Sequence, residues 1–189
     1  MRRLYTWMKK PAVLLVFVLG VNTFGYAVYR VETGNFHTVS PGQVYRSGQM
    51  DEEQWADSIK KYAIKSLLNL RGERRLSSWY QEERRAVEKL GVTHYDVKIS
   101  ANHEVDNGTL DTILEIIRQA PKPILIHCQA GADRSGLIAA VYLFKIEGQR
   151  AAAASHQLSL IYGHFPYLLS RTGAMDRSFW YYVGRQSLE

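Results

Sequence analysis

The stretch PILIHCQAGADRSGLIAAVYLF, residues 123–144, constrains this chain more than any other segment. An aliphatic run at 123–126 enters a short loop of small and polar residues. From Gly136 an apolar run then resumes, longer than a strand requires. The first run reads as a buried strand, and the second, apolar on nearly every side, as a helix enclosed at the centre of a layered fold. Between them lie Cys128, the single cysteine of the chain, and Arg134 six positions later.

The same alternation recurs upstream. Residues 43–46 (QVYR), 66–71 (SLLNLR) and 92–99 (VTHYDVKI) are strand-like. Asp51 with Gln54 forms a capping-box pattern for a helix to about Tyr62. Ser78 with Gln81 offers another, for a helix that Gly91 closes at C′. Leu110, Ile113, Leu114 and Ile117 mark an amphipathic helix ended by Pro121. Residues 150–162 look helical, and aromatics at 164–167 and 179–182 give a tail expected to pack back on the domain. Strands alternating with helices predict an α/β fold with a central, mostly parallel sheet of four to five strands flanked by helices.

The N-terminus has a different grammar. Arg2, Arg3, Lys9 and Lys10 precede an uninterrupted apolar segment at 12–21, and residues 11–29 approach the ~20 needed to span a bilayer. Residues 1–30 therefore read as a signal-anchor or a signal peptide. The poor match of Gly25-Tyr26-Ala27 to the A-x-A pattern favours the uncleaved anchor; the alternative is secretion after cleavage near Ala27. Either version leaves the basic flank in the cytoplasm and exports the domain, as in a bacterial inner-membrane protein with a periplasmic domain. Residues 31–42 (VETGNFHTVSPG) suit a linker, and 43–189 form the folded domain.

The net charge of +6 resides almost entirely in the N-terminal segment, since residues 31–189 carry 19 basic and 18 acidic groups. Without a basic stripe, nucleic-acid binding is excluded as the function class. A lone cysteine forms no internal disulfide, so its thiol has no structural partner in an oxidising compartment.

The loop itself suggests chemistry. A cysteine at the mouth of a helix N-terminus meets free backbone N–H groups and the positive end of the dipole, which favour both a thiolate and a phosphate. Gln129, Ala130, Gly131, Ala132 and Asp133 wrap the loop so that amides can point inward as an anion nest. The planar fork of Arg134 can hold two phosphoryl oxygens, and Ser135 can hydrogen-bond the sulfur. His127 is expected to order the loop through the backbone. The milder alternative is a small buried hydrophobe at Cys128.

H-C-x-x-G-x-x-R-S at 127–135 resembles the phosphate-binding loop of the cysteine-dependent protein tyrosine phosphatase superfamily, in its compact dual-specificity branch. VYRSGQ (44–49) and LNLRGE (68–73) are similar to further stretches of bacterial and fungal members, so the likeness spans roughly residues 40–150. It implies metal-free, cofactor-free hydrolysis of phosphomonoesters, with Cys128 as nucleophile and Arg134 as phosphate ligand. The implied substrate is a phosphorylated protein, phosphotyrosine above all; a phospholipid or inositol phosphate is the alternative.

Relatives place an acid on a separate loop, and here the chain departs from the pattern. Residues 100–108 (SANHEVDNG) offer His103, Glu104 and Asp106, and Asp96 lies nearby. Asp133 gives C-x-x-G-x-D-R, which resembles phosphoinositide phosphatases where an aspartate at this position has been suggested as proton donor. Asp133 leads, followed by Glu104, Asp106 and His103. Arg46 and Arg71 could contact phosphate but read first as solvated or salt-bridged structural residues, His164 as packing, and Trp55 and Trp79 as core. Two rivals stand: a non-catalytic phosphate-binding pseudophosphatase, and a sulfurtransferase of rhodanese type, against which the Arg-Ser pair at the helix start argues.

Overall fold

The computed structural model describes residues 2–186, with side chains from residue 12 onward. The chain divides into two compact units, one ending at Thr33 and one beginning at Gly34. The first is a single helix, α1 (Arg2–Glu32), within which Ala12–Glu32 is long and apolar enough to cross a membrane. Ala27, the alternative cleavage point, falls inside this helix.

The second unit is built on five short strands: β1 (His37–Ser40), β2 (Val44–Ser47), β3 (Ser66–Asn69), β4 (Thr93–Asp96) and β5 (Ile124–His127). They lie in the order β1-β2-β5-β3-β4, with β1 antiparallel to β2 and every other pair parallel. Every residue of β2, β3 and β5 is buried, as expected for strands covered on both faces. The two-residue period sorts them between two cores. Ile124 and Ile126 join Leu68 and Leu70 in the larger one, while Leu125 joins Tyr45 and Leu67 in the smaller.

Helices α2 (Glu52–Tyr62) and α3 (Ser78–Lys89) cover the smaller core with Trp55, Ile59, Ala86 and Val87. The larger core is closed by α4 (Asn107–Gln119), α5 (Arg134–Lys145) and α7 (Gly173–Gln186), with the short α6 (Ala151–Ala154) beside α5. All residues from Ser135 to Leu143 are buried, so α5 is the enclosed central helix that its composition requires. The capping box of Asp51 and Gln54 is formed in both directions.

Three expectations are corrected. Residues 31–42 are not a linker: they finish α1 and supply β1, whose pairing with Arg46 and Tyr45 satisfies its backbone at the sheet edge. Ser78 is not a cap. Ser77 precedes the helix, its hydroxyl donates to Arg74 O, and the Gln81 amide donates to Arg75 O. The helix expected over 150–162 stops at Ala154 and gives way to single 3-10 turns at Ser155–Gln157 and Leu160–Tyr162. Beyond Ala154 the ladder tightens, with Leu158 N donating to Ser155 O, and the Gln157 carbonyl accepts from the buried Arg46 guanidinium.

Candidate active site

The loop between β5 and α5 is held from outside through its carbonyl oxygens. Gln129 O accepts from Gln49 N (3.0 Å), and Ala130 O from Asn35 Nδ2 (2.9 Å). Gly131 O and Ala132 O both accept from Arg46 Nη2, at 2.8 and 2.9 Å. In a planar trans peptide the N–H of the next residue points opposite to the carbonyl. Four successive carbonyls turned outward therefore turn the amides of 130–133 toward the concave side, the geometry of an anion nest.

Arg46, expected as a solvated or salt-bridged strand-end residue, is fully buried instead. Its Nη1 donates to Gln157 O and Oε1, both at 2.8 Å, and its guanidinium lies over the Tyr162 ring at 4.6 Å. Asn35 Nδ2 also bonds Tyr162 O at 3.0 Å. The segment around 157–162 thus braces the loop through two intermediaries. Gly131 takes φ +67, and the Gly48–Gly131 crossing lets the loop lie directly on the exit of β2.

Cys128 begins the loop, 2% exposed, with Sγ 3.5 Å from the Ser135 hydroxyl. Burial raises the cost of a thiolate there. The Arg134 charge and hydrogen bonds from Ser135 and the Gly131 amide outweigh it, so the thiol is held below its ordinary value. Arg134 is half-buried at the start of α5; its Nη1 makes a long 3.4 Å contact with Leu70 O, and its buried Nε has no hydrogen-bond partner among the described residues. A thiolate, an amide nest and a guanidinium meet at one helix N-terminus, an arrangement that can accept a phosphoryl group.

A second guanidinium lies close by. Arg71, partly buried, stacks on the Trp79 ring at 3.4 Å, and its Nη1 donates to Gln49 Oε1 at 2.8 Å. Its pKa is lowered, by burial first and then by the Arg134 charge, while Glu83 and Cys128 pull it upward. Trp79, expected in the core, is half-exposed because its face carries this arginine; Trp55 is fully buried as expected.

Gln49 is oriented by Glu83, whose Oε2 accepts from its Nε2 at 3.0 Å. Glu83 is fully buried on α3, with His94 Nε2 at 2.8 Å and His127 Nε2 at 3.2 Å from Oε1. Burial disfavours this carboxylate, but its close contact with the His127 ring and its hydrogen bonds with His94 and Gln49 hold it far below the usual range. The His127 ring thus faces Glu83 and packs edge-on against Trp55, rather than ordering the loop through the backbone.

The candidate acids are all engaged. Both Asp106 oxygens cap α4, accepting from Thr109 N (2.9 Å) and Oγ1 (2.6 Å). Glu104 pairs with Arg177, and His103 Nδ1 lies 3.0 Å from Ser100 Oγ. Asp96 accepts from Tyr80 Oη (2.6 Å) and Asn69 Nδ2 (2.8 Å). Asp133 turns its carboxylate to His164, with Oδ1 2.7 Å from Nδ1. His164 is not packing: its ring is buried between Asp133 and Asp176.

Sequence reasoning missed Asn35, Gln49, Glu83, Gln157 and Asp176. One signal was present: Glu83 falls at i+3 from Tyr80 and three before Ala86, on the face of α3 that the helical period turns inward. Gln49 closes the VYRSGQ stretch already singled out at 44–49, whereas Asn35, Gln157 and Asp176 carry no local pattern.

The profile described as dual specificity phosphatase, catalytic domain, matches residues 45–178. Inositol diphosphatase SIW14 of Saccharomyces cerevisiae is 30% identical over 125 residues, 62% of this chain and 43% of that protein, so the chain spans less than half of that relative's length. The core catalytic domain of PP-IP phosphatase SIW14 from S. cerevisiae, solved in complex with citrate, shares the fold with TM-score 0.62 and 24% identity over 81% of this chain and 90% of that one. A TpbA variant of P. aeruginosa in complex with pTyr gives TM-score 0.59 at 19% identity, over 79% and 91%.

Proposed function

The chain belongs to the dual specificity phosphatase family, and on that premise we propose that it hydrolyses phosphate esters or anhydrides through a covalent phosphate on Cys128. The substrate phosphoryl group sits against the amides of 130–133 and the Arg134 fork. The Cys128 thiolate attacks phosphorus, an S–P bond forms, and the bond to the leaving oxygen breaks. Water then attacks phosphorus, the S–P bond breaks, and inorganic phosphate leaves as the thiolate is restored with Ser135 as its hydrogen-bond donor. The observation that carries this reading is the outward pinning of four successive loop carbonyls around a thiol of lowered pKa.

For the substrate, two observations favour a diphosphate or a closely spaced polyphosphate over the phosphotyrosine that the sequence resemblance puts first. Arg71 sets a second guanidinium beside Arg134, fixed by the Trp79 face and Gln49, suited to a second phosphate. In addition, the candidate carboxyls are tied to Arg177, Thr109, Tyr80 or His164 rather than presented as free acids. A phosphate leaving group, far less basic than a phenolate or alkoxide, departs without protonation and tolerates such a site. The curated relative named as an inositol diphosphatase supports the same class. We further propose that α1 anchors the chain in a membrane, with the catalytic unit exported; a topology reporter at the C-terminus tests the orientation.

The experiment compares the full-length protein in detergent on an inositol diphosphate, a phosphotyrosine peptide and a small aryl phosphate. Vanadate-sensitive, chelator-insensitive turnover abolished by Cys128→Ser is expected, with the diphosphate preferred and that preference lost at least tenfold in Arg71→Met. Vanadate binding without turnover of any substrate refutes the enzyme in favour of a binding module. Preference for the phosphotyrosine peptide, undiminished in Arg71→Met, refutes the diphosphate reading.

A further inference from the structure

His164 is closed between two carboxylates from different elements. Nδ1 lies 2.7 Å from Asp133 Oδ1 and Nε2 lies 2.8 Å from Asp176 Oδ2, with the imidazole fully buried. Ionised carboxylates only accept hydrogen bonds, and a neutral imidazole has one donor and one lone pair. The two contacts therefore require an extra proton, either on the ring or on a carboxyl. The backbone around the ring is fixed as well: Gly163 turns with φ +80 and His164 N donates to Ser159 O at 3.0 Å.

We propose that His164 is a positioning residue whose imidazolium ties Asp133, at the exit of the phosphate loop, to Asp176 on α7, and so holds Arg134 and Ser135 against the Cys128 thiolate. This rests on the cysteinyl-phosphate reading above. Asp133 immediately precedes Arg134, and its backbone oxygen starts α5 by accepting from Leu137 N at 2.8 Å. Its side chain makes no cap of its own to the helix. The clamp takes that role, and Asp133 serves as an anchored acceptor rather than as the proton donor that the sequence suggested.

The far end of the clamp is rigid. Asp176 lies in the first turn of α7, flanked by the buried Ala174, Met175 and Phe179, where its charge also favours the helix dipole. His164 completes a set of three braces on the loop, with Gln157 acting through Arg46 and the Tyr162 carbonyl through Asn35. The titratable groups facing the ring are Asp133, from the loop before α5, and Asp176, from α7; the neighbouring Arg177 is turned to Glu104. Burial works against the imidazolium, but the hydrogen bonds to Asp133 and Asp176 prevail and push its pKa up to about 9.

The test uses full-length protein with 15N-labelled histidine, in wild type, His164→Asn and Asp176→Asn. Three quantities are measured: the imidazole spectrum, the pH dependence of iodoacetamide alkylation of Cys128, and the pH dependence of aryl phosphate turnover. The His164 imidazolium signature is expected to persist at about pH 8, where an ordinary histidine is neutral, and to vanish in His164→Asn; a signature from His94, which Asp96 and Glu83 raise against its burial, should remain in that variant. Asp176→Asn should move both this transition and the alkaline limb of kcat/KM down by about one pH unit or more. His164→Asn should lower kcat about tenfold with KM changed less than about threefold, and raise the alkylation midpoint.

A His164 signal titrating near 6.5, or an alkaline limb unmoved in Asp176→Asn, overturns the clamp. Absence of turnover in wild type counts against the phosphatase reading alone, because the spectrum and the alkylation profile still decide the clamp. If His164→Asn does not fold, Asp176→Asn carries the decision.

Discussion

Gly131 and Gly48 cross so closely that a Cβ built on Gly131 would stand 2.5 Å from the Gly48 amide nitrogen and 2.7 Å from the Ser47 carbonyl carbon. Both obstacles are backbone, so neither yields by a rotamer change. The loop between β5 and α5 is seated on β2 by the absence of a single methyl group.

Gly131→Ala is therefore expected to destabilise the protein by about 2–4 kcal/mol, combining the strain of a left-handed backbone with the overlap. Turnover should fall more than about a hundredfold, because a loop lifted from β2 no longer aims its amides at one point. Denaturant unfolding and vanadate affinity measure the two effects; a variant with wild-type values for both would contradict the crossing.

Arg46→Met removes four donated hydrogen bonds, to Gln157 O, Gln157 Oε1, Gly131 O and Ala132 O. With unsatisfied buried acceptors costing roughly 1–3 kcal/mol each, the expected loss is about 3–5 kcal/mol after partial relaxation. Arg46→Lys should recover only part of it, since one ammonium does not span the loop carbonyls and Gln157 together. Thermal melts of the three proteins check the order wild type, lysine, methionine.

Alkylation of Cys128 against pH should give a midpoint below the ordinary thiol value of ~8.5. Burial opposes the thiolate, and the Arg134 charge is the largest effect acting against it, ahead of Ser135. Arg134→Ala is expected to raise the midpoint, and Ser135→Ala to raise it by less. The reverse order would show that the hydroxyl, not the guanidinium, holds the thiolate.

Stability should fall on both sides of a window near pH 5–6. Glu83 is held far below its unfolded value, so its contribution is present above about 4.5 and is lost as the pH falls further. His164 is raised to about 9, so its contribution is complete below about 6.5 and is lost as the pH rises through 9, on the order of 3 kcal/mol in all. Urea titrations from pH 3 to 10 should show Glu83→Gln flattening the acid side and His164→Asn the alkaline side.

Much of this was legible in one dimension. The period of 3.6 in Leu110, Ile113, Leu114 and Ile117 and the caps at Asp51 and Gly91 are local, and they gave elements at the right places. The strand, loop and buried helix around Cys128 are adjacent in sequence, so the loop could be recognised from its spacing. The differences share one cause: His164, Arg46 and Trp79 have roles set by the partners Asp176, Gln157 and Arg71, which the stacking of the sheet and helices brings to them, and not by what such residue types usually do.

By itself, then, the sequence determined the alternation of strands and helices, the burial of α5 and the placing of a thiol and a guanidinium at one helix start, because each depends on neighbours within about two helical turns. Only the tertiary structure decided which polar residues would be enclosed. Once α3 and α7 close over the sheet, Glu83, His94 and His164 lose water and pair with the groups that packing brings to them, Glu83 with His94 and His164 with Asp133 and Asp176. Which groups meet in that way depends on distances between segments far apart along the chain, and no local period encodes them.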